Sequence, residues 1–287
     1  GHGATEEHGA SYDGGEEGHS GDENANVGMA ATAGDAGLSV EFAAEPAGPR
    51  PKQPVALSYT VRDAGSGEAI TDLPLDHERP MHTIMVSDDL EDFAHIHPEI
   101  RQDASYRVET TPPDADTYRI YTEFVRNGEK VLDRRELAVG GPTEGGAQLT
   151  PDLSPKTIGG TTVSLDAPEN IRAGEPVHLD FELTRDGEPV TDLAPYLGAA
   201  AHVAIVSEDG SDFAHGHGEA KGAEEAVRGS EDHGEGDAGA AHGVPDSFGP
   251  GVRADHTFGS PGLYKLWAQF ESDGRVVTAP FVVEVRP

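Results

Sequence analysis

The chain contains no cysteine among its 287 residues. This absence excludes disulfides, thiolate zinc sites and the blue-copper ligand set, each of which needs a cysteine sulfur. Long apolar runs are also missing, so no membrane-spanning segment is predicted. Nucleophile elbows, phosphate loops and dinucleotide fingerprints are absent as well. We therefore predict that the protein is not an enzyme, although a three-histidine metal with an open position can in principle activate water.

Positive charge is scarce in this sequence. The 20 Lys and Arg residues face 53 Asp and Glu residues, which gives a formal net charge of −33. A surface of this kind repels phosphates, so nucleic acid is excluded as a partner. Only five of the basic residues are Lys. An acid excess with little Lys is typical of proteins from salt-loving organisms, and cation binding by the carboxylates is the alternative interpretation.

Large apolar side chains are nearly absent from residues 1–35, an acidic Gly- and His-rich tail whose composition predicts disorder. After the tail, short alternating segments broken by Gly and Pro recur at the spacing of β-strands. We predict an all-β chain of two tandem Ig-like (cupredoxin-like) antiparallel β-sandwiches, at 36–140 and 159–287. Residues 141–158 form the predicted linker, and residues 218–247 form an acidic insertion in the second domain.

A histidine pattern occurs twice in the chain. His82 precedes His95-Ile96-His97 by thirteen residues, and His202 precedes His215-Gly216-His217 in the same way, 120 residues further on. Residues two apart in a strand share a face, and the intervening turn can fold the second strand beside the first. Three neutral imidazoles then converge, a set that suits a divalent metal, with copper as first choice and zinc or nickel as alternatives. The predicted ligands, one three-histidine site per domain, are His82, His95, His97, His202, His215 and His217.

The pattern leaves two points open. The fourth position on each metal belongs to water, to a carboxylate such as Asp92 or Asp212, or to a group from elsewhere. The repetition can also reflect shared ancestry with a structural role, in which the histidines make ordinary hydrogen bonds and bind no metal. That alternative describes a purely structural subunit of an extracellular filament or surface layer.

Other residues near the repeat carry weaker signals. Met81 and Met85 flank the first histidine and suggest Cu(I), but period 2 puts both on the opposite face, where core packing is favoured. His178 alternates with apolar residues and is predicted to face outward. His77 and His256 have no counterpart in the other half, so we interpret them as incidental.

Two motifs carry a resemblance to a known family. Ser87-Asp88-Asp89-Leu90 followed by His95-Ile96-His97-Pro98 resembles the Ser-x-Asp-Leu turn and His-x-His-Pro motif of secreted bacterial and archaeal β-sandwich domains. A later strand motif of that family is similar to residues 261–266 here. The resemblance covers about 35–140 and 159–287, and it implies a β-sandwich fold, an extracellular location and association with heavy metals. The second half departs from the pattern, since Gly218 replaces the proline.

The tail also bears on assembly. A segment of such low hydrophobicity cannot bury enough surface to order itself. We expect an identical neighbour to order it, with an arm such as residues 27–33 added as a strand to an exposed sheet edge. The sequence thus predicts an extracellular, non-enzymatic metal-binding protein that forms a homo-oligomer or polymer through residues 1–35.

Overall fold

Short alternating segments become strands throughout the computed structural model, which describes residues 30–141, 143, 145–222 and 243–287. The strands of the first half are β1 (Leu38–Glu45), β2 (Val55–Asp63), β3 (His82–Ser87), β4 (Phe93–Ile96), β5 (Glu99–Ile100), β6 (Tyr106–Thr110), β7 (Asp116–Arg126) and β8 (Glu129–Val139). Those of the second half are β9 (Lys156–Ile158), β10 (Thr161–Asp166), β11 (Ile171–Arg172), β12 (Pro176–Arg185), β13 (Glu188–Pro189), β14 (Ala201–Ser207), β15 (Phe213–Ala220), β16 (Gly251–Thr257), β17 (Gly262–Ser272) and β18 (Arg275–Arg286). The predicted all-β class is confirmed for these residues. Most of the predicted tail and insertion, residues 1–29 and 223–242, lies outside them.

The first half contains two four-stranded antiparallel sheets, ordered β1-β2-β6-β5 and β4-β3-β7-β8. Both sheets contribute to one apolar core, in which Tyr59 of β2 packs with Met85 of β3 and Phe124 of β7. Met81 and Met85 are 0% and 2% exposed in this core. The core-packing interpretation of both methionines is therefore confirmed. No helix long and apolar enough to cross a membrane occurs in the part of the chain that is described.

The second half forms one curled sheet in the order β11-β18-β17-β14-β15-β16-β12-β10-β9, with β13 paired to β12. All pairs are antiparallel except β11 with β18. The sheet encloses its own apolar core, to which Phe181, Leu266 and Phe281 contribute. The sequence predicted two separate sheets in this half, as in the first half. The second half instead forms one continuous sheet.

The difference arises at one equivalent position after the two histidine motifs. Pro98 lacks an N–H and follows the last residues of β4, so pairing is interrupted before β5 begins. Gly218 stands there in the second half, and β15 continues through it to pair with Ala254 of β16. A Cβ at Gly218 would lie 2.7 Å from Val252 Cγ1, so only glycine fits this close approach. The His-bearing strand thereby joins what would be two sheets.

The two halves share a third apolar core at their interface. Strands β3 and β14 are buried on both faces. In β3, Met85 faces the core of its own half, whereas Ile84 contacts the other half. Aromatic pairs cross the interface, with ring centroids of Tyr121 and Phe213 4.3 Å apart. We call this cluster the interdomain core, and its buried members are Ile84, Val86, Leu90, Tyr121, Ala204, Val206 and Trp267.

Candidate metal centre

Strand register brings the histidines to the edge of the interdomain core. His82 begins β3 on the same face as Ile84, and Ile84 is paired with His95 of β4. In the second half, His202 of β14 is paired with His217 of β15. Because the period of a strand is two, each histidine set projects from the face that its half turns toward the other half.

The two histidine sets meet in one cluster. Its four inner members each place one ring nitrogen within 4.8 Å of the others. Two of them come from each half, so the structure brings together what the sequence predicted as separate sites. Period 2 identifies the face that carries the histidines, but it cannot say that the two faces cover each other. The inner histidines are His82, His95, His202 and His215, and the outer histidines are His97 and His217.

The shortest nitrogen–nitrogen distances lie within each half. His82 Nδ1 is 3.1 Å from His95 Nε2, and His202 Nδ1 is 3.3 Å from His215 Nε2. The outer His97 directs its Nε2 toward the same His95 nitrogen, at 3.2 Å. The other outer residue, His217, has a buried Nε2 with no hydrogen-bond partner among the described residues.

Hydrogen bonds on the far side of the rings fix two tautomers. His82 Nε2 donates to the carbonyl oxygen of Asp76 at 2.7 Å, and His202 Nε2 donates to that of Tyr196 at 2.8 Å. A carbonyl oxygen can only accept, so the proton of each ring sits on Nε2. Each Nδ1 therefore points its lone pair into the cluster.

The other two inner histidines are supported from the opposite half. His95 Nδ1 donates to Gln269 Oε1 at 2.7 Å, and the amide of Gln269 is oriented by its own bond to Thr278 Oγ1 at 3.1 Å. His215 Nδ1 lies 3.4 Å from Glu123 Oε2. Such carboxylate, amide and carbonyl partners are the ones that orient metal-binding histidines. The Nε2 lone pair of His95 then faces inward. Glu123 Oε2 has no hydrogen-bond partner among the described residues, so its contact with His215 is electrostatic.

Burial keeps the inner imidazoles neutral. Removal from water, together with neighbouring imidazoles, lowers the pKa of His95 to about 4 and that of His202 to about 3. Burial also lowers the pKa values of His82 and His215. Near neutral pH the cluster consequently offers unprotonated nitrogens, which is the form that binds metals.

Carboxylates stand close enough to offset a cation in the cluster. Burial raises the pKa of Glu123 to about 7, while Lys130 opposes that rise. Lys130 Nζ is 3.8 Å from Glu123 Oε2 and 3.6 Å from Asp76 Oδ2. The two acids and one lysine leave a net negative contribution beside the neutral imidazoles when Glu123 is ionised.

Sequence reasoning missed three residues of the site. His77 stacks on His217 of the opposite half with ring centroids 3.5 Å apart, although Leu197 stands at the equivalent position and gave no repeat signal. Glu123 and Gln269 are equivalent to each other, since they pair with His82 and His202. The sequence signal that could have identified Glu123 and Gln269 is a polar residue at matching positions in two otherwise apolar strands.

The remaining histidine predictions concern residues outside the cluster. His178 is exposed, as predicted, and its Nδ1 is hydrogen-bonded to Asp255. His256 is buried and packs edge-on against Phe258 at 4.4 Å between ring centroids. Burial lowers its pKa to about 4. Neither residue belongs to the set of converging nitrogens.

The two aspartates suggested as metal ligands, Asp92 and Asp212, instead accept hydrogen bonds from tyrosine hydroxyls. Tyr118 donates its hydroxyl to Asp92 Oδ2 at 2.6 Å, and Tyr264 donates to Asp212 Oδ2 at 2.7 Å. Each aspartate immediately precedes the strand that carries His-x-His. These bonds hold that strand to the strand that bears the tyrosine, so both aspartates position the histidines from outside the cluster.

Replacing Tyr264 by phenylalanine is expected to lower the free energy of unfolding by about 1.5 kcal/mol, because a hydrogen bond to a carboxylate is lost in a partly buried place. Urea unfolding followed by circular dichroism measures the loss. Asp212→Asn, which keeps an acceptor oxygen, is the matched control and should lose less. Equal stability of wild type and Tyr264→Phe would contradict the role given to this bond.

These observations define an all-β protein with a buried interdomain histidine cluster that could hold a metal ion. Residues 31–140 and 156–287 match the family model described as Domain of unknown function (DUF8832), and the chain belongs to this family. The matched segments correspond to the two halves of the structure. The family description refers to no histidine motif, so the resemblance to heavy-metal-associated secreted domains stays a prediction. A comparison with curated proteins gave no match.

Solved structures give low similarity over most of the chain. The Escherichia coli adhesin FdeC is 14% identical with a TM-score of 0.25, over 87% of this chain and 64% of its own. Invasin, a bacterial integrin-binding protein, is 13% identical with a TM-score of 0.24, over 85% and 39%. Domains 4 and 5 of the S-layer protein SbsC are 9% identical with a TM-score of 0.22, over 87% and 98%. The chain spans less than two thirds of the FdeC structure.

Proposed function

We propose that this protein binds a divalent transition metal at the interdomain histidine cluster and acts as a non-enzymatic metal carrier or buffer outside the cytoplasm. The observation that carries the proposal is the convergence of four inner ring nitrogens within 4.8 Å. In the first half, far-side partners direct the lone pairs of His82 and His95 inward, so without a cation they face one another at 3.1 Å. A bound metal turns that repulsion into bonds.

The spacing and the donor type agree with this class of metal. Bonds of about 2.0–2.1 Å to imidazole place two ligand nitrogens about 3.3 Å apart in a tetrahedral site. All-imidazole sets suit copper, zinc and nickel, whereas magnesium and calcium prefer oxygen. Copper remains the first choice. Its expected oxidation state is Cu(II), because Met81 and Met85 lie in the core of the first half and offer no thioether to Cu(I).

A cleft gives metal a route from solvent. It has a volume of ≈ 410 Å³ and is lined by His95, Gln269 and Trp267 together with the acidic side chains of Glu91 and Asp92. Carboxylates at a cleft attract cations from solution. We therefore expect metal to enter along this cleft, which His95 of the cluster lines.

Assembly through the tail has less support. Ala31 N donates to the carbonyl oxygen of Lys130 at 3.0 Å, and Leu132 N donates to that of Ala31 at 2.9 Å. The described end of the predicted arm thus pairs with β8 of its own chain, and residues 1–29 lie outside the described residues. Extracellular location and polymer formation stay parts of the proposal that rest on the sequence.

Metal titration with fluorescence detection tests the proposal. Trp267 is the single tryptophan of the chain and shares the cleft with His95 and Gln269. We expect Cu(II) to quench its emission saturably, zinc to compete with copper, and elemental analysis after gel filtration to show retained metal. Calcium and magnesium serve as controls and should leave the emission unchanged. A chain that keeps no metal and shows no saturable quenching would favour the purely structural alternative.

A further inference from the structure

We infer that the histidine cluster holds two metal ions side by side, one on each three-histidine set, with a small anion such as hydroxide between them. The inference rests on the proposed function, since it concerns the number and arrangement of ions at the same site. It restores one ion per set, as the repeat predicts, but joins the two ions into one centre.

The spacing within each set fits one ion. In the first half, the ligand nitrogens of His82 and His97 lie 3.1 and 3.2 Å from that of His95. In the second half, the ligand nitrogens of His202 and His215 are 3.3 Å apart. An ion with bonds of about 2.0–2.1 Å needs its nitrogens about 3.3 Å apart. Each half therefore has at least one pair of nitrogens at this spacing without any help from the other half.

The outer histidines have no purpose in a centre with a single ion. Four inner imidazoles fill the coordination shell of one tetrahedral or square ion. His97 would then point its Nε2 at a nitrogen already committed to metal, and His217 Nε2 would stay buried without a partner among the described residues. An unpaired buried polar atom is unfavourable. Two ions give both outer nitrogens a bond.

The distance between the sets suits a pair of ions. Ring centroids of His95 and His215 are 4.8 Å apart, and those of His82 and His202 are 6.0 Å apart. The inner nitrogens of the two sets lie within 4.8 Å of one another, so ions held on the two sets would be close neighbours, as are the metals of two-metal sites at roughly 3.5–4 Å. Three protein ligands would leave a position open on each ion for a shared anion.

Charge also favours a bridging anion. Two divalent ions repel strongly at such a distance, and the imidazoles are neutral. Nearby carboxylates are those of Glu123 and Asp76, which share Lys130. The protein therefore supplies only part of the balancing charge. A water bound between two cations loses its proton readily to solvent, and the resulting hydroxide supplies more.

The experiment compares copper and spin counts in the full-length chain. The wild type and a His97→Asn/His217→Asn double variant are loaded with Cu(II), washed with a weak chelator and analysed for copper per chain and for electron spins. We expect the wild type to hold one more ion than the variant, because the variant keeps only the inner histidines.

The wild type should show far fewer free spins than copper ions, since adjacent Cu(II) ions couple magnetically. The variant should show one uncoupled spin for one ion. The difference between the chains cancels any copper held by histidines elsewhere.

His178→Asn is the matched control, since it removes an exposed histidine outside the cluster, and it should keep both ions. Equal copper counts in wild type and double variant would overturn the inference, as would two ions with fully uncoupled spins. If the double variant fails to fold, the ratio of spins to copper in the wild type decides alone. A wild type that retains no copper contradicts the proposed function itself and is thus distinguished from a centre that holds one ion.

Discussion

Replacing His95 and His215 together by alanine is expected to weaken metal binding by at least about 100-fold. Each residue gives one inner nitrogen from a different half, and each contacts a residue across the interface: His95 donates to Gln269, and His215 lies 3.4 Å from Glu123. Loss of partners that merely orient a ligand already weakens metal binding by about 10–100-fold, so loss of two ligands should do more. Competition against a chelator of known affinity measures the change.

Two controls separate loss of ligands from loss of fold. His178→Ala removes an exposed histidine that is hydrogen-bonded to Asp255, and it should bind metal as the wild type does. Circular dichroism should show the same strand content in the double variant, because the apolar cores do not depend on the two rings. If the double variant kept wild-type affinity with its fold intact, the inner histidines would not be the metal ligands.

Most strands of this protein are predictable from local sequence. Alternation and turn residues account for β6 at Tyr106–Thr110, and the hairpin before β8 follows from Asn127-Gly128, which adopt φ values of 52° and 78°. Such positive values are what a two-residue hairpin turn requires. The extension of β15 through Gly218 was not predicted, because it depends on a sheet neighbour far along the chain.

The site shows where local reasoning ends. Period 2 predicts that His95 and His97 share a face, but the nature of the surface that covers that face depends on the packing of the two halves. One hint was present in the sequence: Ile84 and Val86 alternate with Met85, so both faces of β3 are apolar. A strand that is apolar on both faces must be covered twice. The histidines at the edge of that second covered face were therefore candidates for an interdomain site.

Duplication explains the arrangement of the cluster, and one difference between the copies explains its asymmetry. Glu123 and Gln269 occupy equivalent positions, yet one carries a carboxylate and the other a neutral amide. The carboxylate of Glu123 lies 3.4 Å from His215 Nδ1, whereas the amide oxygen of Gln269 accepts a hydrogen bond from His95 Nδ1 at 2.7 Å. The two sides of the centre are thus similar in geometry and unequal in charge.

Replacing Trp267 by alanine is expected to lower the free energy of unfolding by about 3–5 kcal/mol, the usual effect of deleting a large buried ring. Trp267 is 3% exposed, stacks on Phe93 of the opposite half with ring centroids 5.0 Å apart, and packs in the interdomain core. The loss falls on the contact between the halves, because each half keeps its own core. Calorimetry should then resolve two transitions where the wild type shows one, and metal binding should weaken because its ligands come from both halves.

Val276→Ala, at a residue 44% exposed on the neighbouring β18, is the control and should change stability by less than about 0.5 kcal/mol. A single transition at the wild-type temperature in Trp267→Ala would show that the interdomain core does not couple the halves, and the metal would then have to hold them together by itself.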